Sequence, residues 1–134
     1  MTHFATLSEA RAHMPQLTDD AISGRPVSYF RDGRQVAAVD ADRLRDALSQ
    51  LHPARAEVFR EGGLVGMVIS DLGLAVEGVT FDDAISELVI ALREYAADWN
   101  DHLLNAVNHA NNWGIVQVIA LSTDEELAGW VRGA

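Results

Sequence analysis

The chain has no cysteine and no lysine, and only 7% of its residues are aromatic. Without cysteine there can be no disulfides, no thiolate metal ligands and no thiol nucleophile. All ten basic residues are arginine, which points to a GC-rich genome more than to any chemistry. Long hydrophobic runs are missing as well. The two longest, near residues 64–69 and 115–121, fall far short of the roughly 20 residues that span a bilayer. Met1 opens directly onto a polar, patterned segment, so no secretory leader is expected and a cytoplasmic location follows. Catalytic signatures are equally scarce. There is no G-x-S-x-G, no H-E-x-x-H and no credible triad, and Gly62-Gly63 lacks the Lys and Ser/Thr of a phosphate loop. The expectation is a protein that is not an enzyme, with no cofactor and no metal.

What is present is a globular composition: 134 residues, 49% hydrophobic and 22% charged, enough for one domain or two small ones. The net charge of −10 is unevenly spread. Residues 1–52 carry six Arg against seven Asp/Glu, whereas residues 53–134 carry four Arg against thirteen. The first half can hold phosphate through local arginines. The second repels nucleic acid and attracts something basic.

Periodicity divides the chain in the same way. Residues 2–6 read as a short strand. Leu7, Ala10, Met14, Leu17 and Ala21 then keep one helical face, with Pro15 imposing either a kink or two short helices and Gly24 closing the element. Residues 27–30 and 35–39 are β-prone and flank Asp32-Gly33, a strong hairpin signal. Asp42 is the expected N-cap of a helix ending near Leu51, and Pro53 closes a unit of residues 1–53. A second unit, residues 54–134, begins with strands at 56–60, 64–70 and 74–77. Thr80 and Asp83 approximate a capping box for a long helix whose buried face runs through Ile85, Leu88, Val89, Leu92, Ala96, Trp99 and Leu103. Residues 115–121 read as a central strand, and Ser122 or Thr123 caps a last helix. The expected fold class is therefore α+β. A strand, broken helix, hairpin and helix precede a small domain of hairpin, strand, long helix, strand and helix. The first unit buries little surface alone, and domains this small often lean on a partner subunit.

Arg offers a planar fork that suits phosphate oxygens and guanine edges. Arg11, read as lying near a helix N-terminus, adds to an anion-favouring dipole end, and a hairpin tip projects Arg31 and Arg34 outward. The rival reading is that all three are solvated surface arginines. The stretch LSEARAHMPQLTDDAISGRPVSYFRDGRQVAAV carries Glu9-Ala10-Arg11, Gly24 and Phe30-Arg31-Asp32-Gly33-Arg34-Gln35-Val36-Ala37 in order. In these pieces the first fifty or so residues resemble the prevent-host-death/YefM (Phd/YefM) family of antitoxins. The resemblance implies a homodimer, or a higher assembly of dimers, that binds a palindromic operator, represses its own operon and neutralises a toxin. It also implies DNA contacts at Arg11, Arg31 and Arg34, with Ser8 beside Arg11. Asp32 departs from the usual basic hairpin and should weaken phosphate attraction there.

The second half departs from that family, whose better-known members end in a disordered tail. Around Gly78-Val79-Thr80-Phe81-Asp82-Asp83-Ala84 it resembles the HicB-type antitoxin domain, which implies a folded toxin-masking module. Asp82, Asp83, Glu87, Glu94, Asp98 and Asp101 form an acidic helix strip, read either as a solvated face or as complementary to a small basic toxin. Trp113, placed in a loop, is a candidate interface anchor. The toxin-binding candidates are thus Asp82, Asp83, Glu87, Glu94 and Trp113. His102 and His109 lie seven residues apart with no third ligand implied, so both read as surface or interface residues rather than metal ligands. The expected function is that of a type II toxin–antitoxin antitoxin that binds operator DNA and a cognate protein toxin. The alternative is a stand-alone dimeric transcriptional regulator or interaction module without a toxin. A short overlapping downstream gene for a small basic protein would separate the two.

Overall fold

The computed structural model describes residues 1–133, and their contacts gather into two compact units, Met1–Leu44 and Arg45–Ala134. The fold is mixed α+β. In the first unit, β1 (Thr2–Phe4) is followed by α1 (Leu7–Ala12), α2 (Met14–Ile22), β2 (Val27–Arg31) and β3 (Arg34–Ala37), and α3 (Ala41–Leu51) begins at its end. The three strands form one sheet in the order β1-β2-β3, with β1 parallel to β2 and β2 antiparallel to β3.

Local chemistry accounts for these boundaries. The Thr6 hydroxyl accepts from the Glu9 N–H at 3.1 Å and starts α1. Pro15 falls in the first turn of α2, where its missing N–H has no helical partner to lose, so the break yields two short helices. At the end of α2 the Gly24 N–H donates to the Ala21 carbonyl at 3.1 Å and the Arg25 N–H to the Asp20 carbonyl at 2.9 Å. Gly24 has φ +88°, a left-handed cap that a Cβ would penalise. Asp32 and Gly33, with φ of 51° and 79°, turn the β2–β3 hairpin. Ala10, Leu17, Ala21 and Val27 form the core, flanked by Phe4, Tyr29 and Ala38. Asp42 is not the cap of α3. The Asp40 carboxylate accepts from the Arg43 N–H at 3.2 Å, and Asp42 lies in the first turn, where its charge still suits the helix dipole.

The second unit contains the C-terminal part of α3, then β4 (Glu57–Glu61), β5 (Leu64–Ile69), β6 (Leu74–Gly78), α4 (Phe81–Asp101), α5 (Trp113–Leu121) and α6 (Asp124–Arg132). The strands form an antiparallel meander, β4-β5-β6. Gly62 and Gly63, with φ of 58° and 81°, close the β4–β5 turn. Val65, Met67 and Ile69 are buried on one sheet face, which packs against Ala84, Ile85, Leu88, Val89 and Leu92 of α4. Gly78 follows the same face, and a Cβ there would lie 2.4 Å from the Ala84 backbone nitrogen, so the close approach of β6 to α4 depends on glycine.

Residues 115–121 are not a strand. They form most of α5, with Val116, Val118 and Ile119 buried. A short run whose one polar residue is Gln117 carries no clear period, so the pattern does not separate a strand from a helix buried on most sides. Leu103 lies beyond the end of α4, in a 3₁₀ turn. Thr123 caps α6 in a reciprocal box with Glu126, at 3.1 and 2.9 Å. By contacts the first unit ends inside α3, at Leu44. Arg45 pairs with Glu126 at 2.9 Å and the Trp130 indole donates to the His52 carbonyl at 3.0 Å, both within the second unit. No described helix is long and apolar enough to cross a membrane.

Candidate functional site

Two sets of residues are in question, one in each unit. In the first, Ser8 is exposed at the second position of α1, and residues 5–8 share a shallow concavity with Phe30, Arg31, Asp32 and Gly33. The fold thus brings Ser8 and Arg31 together. Arg34 sits directly across from Arg31 on the antiparallel strand, and directly opposed residues point to the same sheet face. The Arg31 guanidinium lies 3.9 Å from the Asp32 carboxylate, with both side chains largely in solvent. Such a surface pair contributes little and is readily exchanged for another anion.

Arg11 is not near the start of its helix. It occupies the last turn of α1, where a cation favours the carboxyl-terminal dipole end instead of reinforcing the amino-terminal one. The cap is Thr6, five residues before Arg11 and outside the Glu-Ala-Arg motif, so the motif does not mark the helix start. Arg11 remains exposed, and neither Arg11 nor Arg34 takes part in an ion pair among the described residues. Arg11 and Arg34 do not line the concavity shared by Ser8 and Arg31.

In the second unit, helical spacing puts Asp83, Glu87 and Glu94 on one outward stripe of α4 with Ile90, which is 53% exposed. Asp82 turns away from that stripe and pairs with Arg132 of α6 at 3.3 Å. Trp113 is half-exposed, but it is the first residue of α5 and not part of a loop. His102 pairs with Asp101 at 3.0 Å. The Tyr95 hydroxyl and His109 Nδ1 lie 2.9 Å apart, Asn112 donates to the Tyr95 hydroxyl at 2.8 Å, and the Trp99 indole donates to the His109 carbonyl at 2.9 Å. These bonds hold residues 102–112 against α4.

Sequence reasoning passed over two arginines and one surface. Arg93 donates to the Ile119 and Ser122 carbonyls and pairs with Asp124 at 2.8 Å, joining α4 to the α5–α6 corner. Arg45 bridges Asp46 and Glu126 at 2.8 and 2.9 Å, and its buried Nε has no partner among the described residues. The Glu126 carboxyl is held below its ordinary value near 4.5, chiefly by the Thr123 N–H, with the Thr123 hydroxyl and Arg45 adding to the effect and desolvation opposing it. The surface is the side of the β4–β5–β6 sheet turned away from α4. The alternation Glu57-Phe59-Glu61 was its available signal.

No protein-family model matches the sequence, and no curated protein matches it. The fold, by contrast, has a solved counterpart. The chain superposes with a TM-score of 0.80 on a Syntrophomonas wolfei subsp. wolfei protein solved at 1.80 Å, described as the antitoxin part of a proposed toxin/antitoxin system. The two are 23% identical, and the match covers 95% of this chain and 94% of the other. At that identity the likeness establishes a shared fold across nearly the whole of both chains.

Proposed function

We propose that this protein is the antitoxin of a type II toxin–antitoxin system, which neutralises a cognate protein toxin and represses its own operon as a DNA-bound dimer. The observation that carries this reading is the fold shared, over 95% of the chain, with a protein described as an antitoxin. The Phd/YefM-like pattern of the first half, carried by residues 7–39, also supports it. In this reading residues 1–53 dimerise and hold operator DNA through Arg11, Arg31, Arg34 and Ser8. Residues 54–134 face the toxin through Asp83, Glu87, Glu94 and Trp113, while Asp82 contributes only if its bond to Arg132 opens. The reading includes no catalytic role.

The charge distribution supports this division. The second half has nine more acidic than basic residues, which favours a cationic partner and disfavours nucleic acid. Toxins that act on RNA need cationic surfaces, so an acidic masking module is chemically apt. Co-expression with the product of the adjacent gene tests the reading. The toxin should co-purify, and the pair should shift DNA from the operon's own promoter. Promoter binding without capture of that product would favour a stand-alone regulator, and failure of both would end the proposal.

A further inference from the structure

We propose that the uncovered face of the β4–β5–β6 sheet docks a cationic, amphipathic helix of a protein partner. The inference rests on the antitoxin reading only for the identity of that partner. Strand register defines the face. Glu57 lies opposite Val68, Phe59 opposite Gly66 and Glu61 opposite Leu64, while Gly66 and Val68 face Glu77 and Ala75 of β6. Opposed residues share a side, so these positions lie on the side away from Val65, Met67 and Ile69, which pack on α4.

Its chemistry is one-sided. The Phe59 ring lies over Gly66, where a Cβ would come within 2.2 Å of it, giving the face a flat apolar centre. Phe59 and Leu64 are 39% and 37% exposed, a cost in water that a covering partner would remove. Three glutamates surround that centre, and no arginine holds a strand position on the face, because Arg60 alternates to the other side.

That combination selects the occupant. A second copy laid face to face would set carboxylates against carboxylates. Nucleic acid and anionic lipid meet the same repulsion. A three-stranded sheet is about 10 Å between its outer strands and about 17 Å along them. Those dimensions fit one helix of about three turns, whose diameter is about 10 Å. Such a helix would set leucine-like side chains on Phe59 and Leu64 and arginine or lysine against the glutamates. The outward stripe of α4 is acidic too, but its apolar content is Ile90 alone, so it can attract a basic toxin by charge without seating a helix.

The test uses the full chain, isotope-labelled, and a synthetic helix of leucine and arginine spaced to make one apolar and one basic side. Amide shifts should concentrate at Phe59, Leu64, Val68 and Glu77. Replacing the glutamates together (Glu57→Gln, Glu61→Gln, Glu77→Gln) should weaken binding about tenfold, the sum of three modest surface attractions. Leu64→Arg should abolish binding while circular dichroism stays native. Shifts confined to Asp83, Glu87 and Glu94 and absent from the sheet face, or affinity unchanged in both variants, would overturn the proposal. The second arm is capture of the adjacent gene's product. Capture lost in Leu64→Arg supports the face, and capture retained there overturns it. If the unaltered chain captures nothing, the antitoxin reading fails, and the peptide alone then decides the face.

Discussion

Arg11 is exposed at the end of α1 and pairs with no carboxylate among the described residues, so its truncation removes a charge without opening a hole. If it holds a phosphate, Arg11→Ala should weaken promoter binding and lower the slope of log affinity against log salt by about one unit. A gel shift over a range of salt measures both, and an unchanged slope removes Arg11 from the interface. Glu126 permits a different kind of test. Its carboxyl is held below its ordinary value near 4.5, so its contribution to stability is full above that value and is lost as pH falls through the lowered one. Glu126→Gln should therefore flatten the acid side of a plot of stability against pH. Denaturant melts between about pH 3 and pH 6 would show this, and curves of the same steepness would contradict it.

Elements differ in how plainly the sequence announces them. The break at Pro15, the cap at Gly24, the turn at Asp32-Gly33 and a cap at Ser122 or Thr123 are each specified by a few adjacent residues, and all are legible, with Thr123 the cap that forms. Helix α5 is not. Ile115, Val116, Val118 and Ile119 are β-branched and favour a strand, yet tertiary burial overrides that preference when a helix is enclosed on most sides. The candidate sites follow the same rule. The hairpin placed Arg31 opposite Arg34 through turn chemistry alone. The motif alone does not tell which end of its helix Arg11 occupies, because the cap, Thr6, lies outside it. The glutamate-rimmed sheet face needs cross-strand register, which no local signal contains. Burial in α5 should be correspondingly costly to disturb. Ile119 is fully buried, so Ile119→Ala should cost about 2–5 kcal/mol of stability, measured by urea unfolding. A loss below about 0.5 kcal/mol, typical of surface positions, would mean that α5 is not part of the core.

For the whole molecule, the division inside α3 makes a prediction about fragments. A piece beginning at Arg45 keeps the Arg45–Glu126 pair, buried Leu48 and the His52 carbonyl that accepts from Trp130. A piece beginning at Ala54 loses all three. The longer fragment should unfold cooperatively, and the shorter one should be weaker by at least the roughly 1.5–3 kcal/mol of burying one leucine. Equal stability would return the boundary to Pro53. The three tryptophans, Trp99, Trp113 and Trp130, all lie beyond that division, and residues 1–44 contain none. Indole fluorescence is therefore an optical label, supplied by the chain itself, for one unit alone. Backbone ellipticity reads helices and strands from both. Melting curves from the two signals will superimpose only if the units unfold together, so an unmodified sample can report whether they are thermodynamically coupled.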